Sequence, residues 1–168
     1  MGRIAYEKET GWDGIIEKCD DMKCNYACCQ FGKLGNFIAL FPGELEKAKE
    51  EGLGVDHLDI VEPATETKMG KAHCLRPCEN NELKPIDCAI YPLWPKTADF
   101  SRFIRGEQWK CPLENVDLQL IALSVKELLT KAGVNPELVV PVASEMVAYA
   151  DWPYHYDQDS NQFIPNNE

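Results

Sequence analysis

Apolar and polar positions alternate along this chain in short stretches rather than long ones. "NFIALF" (36–41) is a brief apolar run that predicts a buried strand or extended segment, broken by Pro42 and Gly43. "ELEKAKEE" (44–51) predicts a charged helix stopped by Gly52. "HLDIVEP" reads as a further strand, and "DGIIEK" (13–18) as a short helical turn. Residues 74–113 hold Pro77, Pro85, Pro92, Pro95 and Pro112, which predicts stiff, irregular loops.

Longer periodicity begins only after this stretch. "NVDLQLIALSVKELLTKA" (115–132) predicts a helix with Asn115 as N-cap. Val116, Leu120, Leu123, Leu128 and Leu129 would form its apolar face, and Gly133 its end. "NPELVVPVASEMVAYA" (135–150) reads as a second helix, capped by Asn135 with Pro136 at its first position. Pro141 should interrupt it, so the regular part is expected from Val142. The two apolar faces are expected to pack together as a scaffold. The remaining tail is acidic yet carries Trp152, Tyr154, Tyr156 and Phe163. It is expected to dock on its own domain or on a partner.

The expected fold is therefore mostly α with irregular loops and a few short strands. We read a small single domain, residues 1–150, organised around a cysteine-ligated metal site. Its cysteine block spans 19–111 and its helical scaffold 115–150. An acidic aromatic tail, 151–168, follows.

Composition adds a location and a charge pattern. No apolar run approaches the roughly 20 residues of a membrane helix. The opening "MGRIAYEKETGWDG" has no signal-peptide core, and Tyr6 stands where a myristoylation motif needs Ser or Thr. These features favour a cytoplasmic location, with no membrane partner. The net charge of −11 also disfavours nucleic acid. Residues 68–113, with 8 basic and 5 acidic side chains, form the net-positive stretch. Nearby Lys and Arg stabilise thiolates, and this is the stretch that holds Cys74, Cys78, Cys88 and Cys111.

Eight cysteines in a reducing compartment point to metal binding or catalysis rather than a disulfide framework. They run Cys19-x4-Cys24-x3-Cys28-Cys29, then Cys74-x3-Cys78-x9-Cys88-x22-Cys111. The spacing is neither a zinc-finger pattern nor a ferredoxin run. Adjacent Cys28 and Cys29 point in different directions in a helix or a strand, so they are expected to divide their labour. Tyr91, Leu93 and Trp94 follow Cys88 closely. They either shield a cluster or belong to a small core, and the two roles are compatible. His73 abuts Cys74 and is read as an ordinary polar residue before a mixed ligand. His57 and His155 are read as surface or hydrogen-bonding residues. Acid pairs such as Asp20-Asp21 and Glu50-Glu51 are read as solvated charge.

These motifs resemble the YkgJ-type cysteine-cluster family, described as zinc- or iron-chelating, whose clusters are related to those of flagellin lysine methylases. Cys19, Cys24, Cys28 and Cys29 match the family's opening, and "FIALFPGELEKA" its strand-to-helix step. Cys74 and "CENNELKPIDCAIYP" (78–92) match its second block, with Lys84 and Ala89 in place of arginines. The resemblance covers roughly residues 19–95 and implies a cysteine-ligated metal or iron–sulfur site.

The leading functional expectation is an iron–sulfur protein, of the 4Fe-4S type, acting in electron transfer or as a cluster-bearing accessory to a larger enzyme. A protein partner follows from either role. All eight cysteines are candidates for the cofactor. Cys24, Cys28, Cys78 and Cys88 rank first as metal ligands, then Cys74 and Cys19. One alternative is a structural Zn2+ protein or interaction module. Another is a cluster-dependent protein-modifying enzyme or a thiol oxidoreductase. No C-x-x-C or cofactor-binding loop supports that last pair.

Overall fold

The computed structural model describes residues 2–11, 37–107, 111 and 113–167. The chain divides into two compact units, Met1–Ala89 and Ile90–Glu168.

The first unit is built on a three-stranded antiparallel sheet. Its strands are β1 (Ile38–Leu40), β2 (Leu58–Glu62) and β3 (Gly70–Cys74), in the order β1-β3-β2. Ile38 and Ile60 both pair with Ala72, which places these three on one face. That face looks onto a core of Ala5, Leu40, Ala48, Leu53, Leu58, Ala72 and Leu83. The short helix α1 (Glu7–Thr10) and helix α2 (Glu44–Glu50) flank it. Gly70 has no room for a side chain, since a Cβ there would lie 2.5 Å from Ala64 N and 2.7 Å from Glu62 O. α2 stops where the sequence predicts, with Gly52 at a φ of 73°. A third helix, α3 (Ile86–Ile90), begins in this unit and carries Cys88.

The second unit pairs β4 (Leu93–Pro95), β5 (Phe103–Arg105) and β6 (Ala150–Asp151), with a separate hairpin of β7 (Tyr154–Asp157) and β8 (Gln162–Pro165). Helix α4 (Asn115–Lys131) packs against β8, where Gln119 Nε2 donates to Phe163 O at 2.8 Å. Trp94, Phe103, Trp152 and Phe163 are all buried in this unit. The Phe103 and Phe163 rings lie 5.5 Å apart, and those of Trp152 and Phe163 5.8 Å. Residues 151–168 thus contribute a hairpin and two buried aromatic rings to their own unit.

The mostly-α expectation is overturned. Helix takes 31% of the described residues and strand 26%, with eight strands in three small sheets. Among the described residues, three of the five α-helices are only four or five residues long. The physical reason lies in the Pro-rich stretch and the tail. Their closely spaced aromatic and apolar residues pair as antiparallel strands that bury Leu93, Trp94, Phe103 and Phe163. Pro95 ends β4, where it closes a strand rather than forcing an irregular loop.

The expectation of a domain organised around a metal site is not met among the described residues. Among the described residues no group of three or more His, Cys, Asp or Glu is placed to hold a metal. Each unit is organised by apolar burial instead.

α4 forms as predicted and buries Leu128 and Leu129 as expected, but the first half of its inward face differs. Leu118, Ile121, Ala122, Val125, Leu128 and Leu129 are buried, whereas Val116 and Leu120 are 62% and 61% exposed. The buried set is the more continuous stripe at i, i+3, i+4 and i+7, so it wins. Asn115 does not cap. Glu114 takes the cap position, and Asn115 Oδ1 accepts from Trp152 Nε1 at 3.1 Å. The second predicted helix shortens to α5 (Pro136–Val139), capped by Asn135 Oδ1 accepting from Glu137 N. Beyond it Val140–Glu145 tightens into a 3-10 turn that contains Pro141, so no regular helix starts at Val142. Among the described residues, no helix is long and apolar enough to cross a membrane.

Candidate metal-binding loop

Four of the eight cysteines, Cys74, Cys78, Cys88 and Cys111, lie among the described residues. Three of them belong to the first unit, while Cys111 belongs to the second. Cys19, Cys24, Cys28 and Cys29, with the turn predicted at 13–18, lie outside the described residues.

Cys74 closes β3 opposite Leu58. Its Sγ donates to Arg76 O at 2.8 Å. The chain then loops outward and is tied at its base by Leu75 N donating to His57 O at 2.8 Å. Within the loop the Arg76 guanidinium donates to both carboxylate oxygens of Glu82, with Nη1 2.8 Å from Oε2. Glu82 Oε2 also accepts from Glu79 N at 2.7 Å. The Arg76 fork, followed by the Glu79 N–H, holds the Glu82 carboxyl down to about 2. Cys78 is half-buried on this loop, at the wall of a concavity of about 500 Å³ lined by Cys78, Glu79, Asn80, Asn81 and Glu82.

Cys78 is wedged from the other side by the N-terminal segment. Arg3 N donates to Glu82 O at 2.9 Å and Lys84 N to Arg3 O at 2.8 Å. This bridging lays Gly2 against the thiol, so closely that a Cβ there would come within 2.7 Å of Cys78 Sγ.

Cys88 sits half-buried within α3. Two carboxylates hold the start of that helix. Glu44 Oε1 accepts from Ile86 N at 2.6 Å, while its Oε2 accepts from Phe41 N at 3.1 Å. Asp87 Oδ2 accepts from Ala39 N at 2.7 Å. Burial pushes Glu44 up to about 7 and Asp87 up to about 6. α3 is therefore fastened to β1 and α2 by polar contacts that do not involve Cys88.

Cys111 is buried in the second unit. Its carbonyl accepts from Arg105 Nη2 at 3.2 Å, and the same nitrogen donates to Leu113 O at 2.7 Å. Trp94, a candidate shield for a cluster, is fully enclosed, with Nε1 donating to Val139 O at 3.0 Å. It is a core residue of the second unit.

The histidines divide three ways. His73 stacks at a tilt on Phe37, ring centres 4.6 Å apart. His155 Nδ1 lies 2.9 Å from Asn166 Oδ1. His57 is buried, with Nε2 2.9 Å from Leu83 O. Sequence reasoning passed over Glu82, Glu44 and Asp87. A weak signal was present for Glu44, because a glutamate three residues after the N–H it reaches is the spacing of a capping box.

Cys74 and Cys78 share one fastened loop, and Cys88 sits on a fastened helix. No three donors converge among the described residues. Comparisons with family models, with curated proteins and with solved structures give no match to this chain.

Proposed function

We propose that this chain binds an iron–sulfur cluster through cysteine thiolates, as an electron-transfer protein or a cluster-bearing accessory to a larger enzyme. The observation that carries the reading is the placement of Cys74, Cys78 and Cys88 in one unit, on elements fastened by side chains other than the cysteines themselves. Such a frame suits a ligand set, because pre-oriented donors lose little entropy on binding. Four thiolates complete a cubane cluster. No three described donors converge, so at most two of Cys74, Cys78 and Cys88 serve one cluster, and the reading assigns at least two more ligands to the block Cys19, Cys24, Cys28 and Cys29. The resemblance to the YkgJ-type family supports the same assignment. When bound, the group would supply one-electron redox chemistry, and the chain would supply thiolates, orientation and exclusion of water.

Two ligand variants made without oxygen test this. Cys88→Ser and Cys78→Ser are each expected to lose the brown colour of the wild-type protein. Their far-ultraviolet circular dichroism should stay near wild type, because α3 is held by Glu44 and Asp87. Full colour in both variants would remove Cys78 and Cys88 from the ligand set and, with them, the observation on which the reading rests.

A further inference from the structure

One carboxylate gathers the whole Cys78 loop. Glu82 lies at its end, with a side chain only 12% exposed. From one side it receives the Arg76 fork and the Glu79 N–H. From beneath it faces His57, whose side chain is fully buried. His57 Nε2 lies 2.9 Å from the Leu83 carbonyl, which can only accept, so that nitrogen carries a hydrogen. His57 Nδ1 has no hydrogen-bond partner and stands 3.7 Å from Glu82 Oε2.

The backbone of Glu82 is fixed too, since its carbonyl accepts from Arg3 N and its N–H donates to Glu79 O at 3.0 Å. An exposed ion pair would contribute little to stability. Here a forked arginine and a backbone N–H converge on one nearly buried carboxylate, and the loop they close carries a thiol. Arg76 also offers its carbonyl to the Cys74 thiol. Both thiols of "CLRPC" therefore hang on the segment that Glu82 holds.

We propose that Glu82, clamped by Arg76 and by the Glu79 N–H, is the positioning residue of the Cys74–Cys78 loop and sets where the Cys78 thiol stands in its concavity. The inference deepens the reading of Cys78 as a metal ligand and rests on that reading for its purpose. Its effect on the thiol itself rests on the loop geometry.

The test uses the reduced, metal-free full chain. Alkylation rates of individual cysteines by iodoacetamide are followed by peptide mass spectrometry in wild type, Glu82→Gln and Arg76→Lys. Glu82→Gln keeps the shape and removes the charge, while Arg76→Lys keeps the charge and removes the fork. Both are expected to raise the Cys78 rate several-fold and leave the Cys88 and Cys111 rates unchanged, which a general loss of fold would not do. Cobalt(II) added to the same proteins reports on ligation through its thiolate charge-transfer band. Its affinity is expected to fall about 10–100-fold in the variants, the usual effect of losing an outer-shell partner. Wild-type Cys78 rates in both variants would overturn the proposal. Altered Cys78 rates in a chain whose wild type binds no cobalt would uphold the positioning role and overturn the metal reading. If Glu82→Gln fails to fold, Arg76→Lys decides.

Discussion

Glu44→Ala is expected to lower the stability of the chain by about 3 kcal/mol at pH 5, the largest loss for any acidic position described here. Glu44 is fully buried, and its two oxygens take up the backbone N–H groups of Phe41 and Ile86. Removing the side chain strands both donors in the core. Each orphaned buried donor costs about 1–3 kcal/mol. It also leaves a void beside Asp87, the second carboxylate at the start of α3.

The pH dependence follows from the raised acidity constants. In the unfolded chain Glu44 and Asp87 release their protons near their ordinary values of 4.5 and 3.8, but in the folded chain only at about 7 and about 6. Between these limits the folded state holds protons that the unfolded state has lost. The stability tied to these groups is therefore full below about pH 4 and is lost as pH rises through 6 and 7. The wild-type protein should be more easily unfolded by urea at pH 8 than at pH 5. The penalty of Glu44→Ala should be correspondingly smaller at pH 8, because the wild type has by then given up part of what Glu44 contributes. An equal penalty at both pH values would mean that Glu44 is ionised throughout.

Trp94→Ala is the second large effect, a loss of about 4 kcal/mol in the second unit. Trp94 is wholly enclosed on β4, pairs across the sheet with Ile104, and donates its indole N–H to Val139 O. Truncation would empty the largest side chain from that core and orphan the Val139 carbonyl. Urea unfolding monitored by circular dichroism measures it. Trp94→Phe should recover most of the packing but not the hydrogen bond, leaving a deficit of about 1 kcal/mol. A loss below about 1 kcal/mol for Trp94→Ala would show that this tryptophan is not the core residue its burial indicates.

The parts of the fold that were legible in the sequence are those in which local chemistry and burial agree. β1 follows from the apolar run broken by Pro42 and Gly43. α2 follows from a charged stretch ending at Gly52, and α4 from leucine spacing ending at Gly133. The first half of the α4 face was misjudged because spacing alone admits more than one stripe, and the partner that selects one, Phe163 on β8, lies far along the chain. The hairpins of the second unit were missed for a related reason. Their stability comes from non-local pairing, Leu93 with Arg105 and Tyr156 with Phe163, which no short window reveals.

The candidate site was legible as a list of thiols but not as a structure. Cysteine count and spacing drew attention to "CLRPC". Nothing in the local pattern showed that Arg76 would fork onto Glu82, that Gly2 would press on Cys78, or that Glu44 and Asp87 would hold the helix of Cys88. Those contacts join residues as much as 76 positions apart in the sequence. The apolar cores explain why the fold need not depend on a metal, which separates the question of folding from that of ligand binding.

The central claim is that these cysteines hold an iron–sulfur cluster. Its most direct test is the chemical assay of iron, acid-labile sulfide and zinc per chain after purification without oxygen. The account predicts a brown protein with near-equal iron and sulfide, up to four of each per chain for a cubane cluster. A colourless, folded protein with stoichiometric zinc and no sulfide, or with no metal at all, would contradict it.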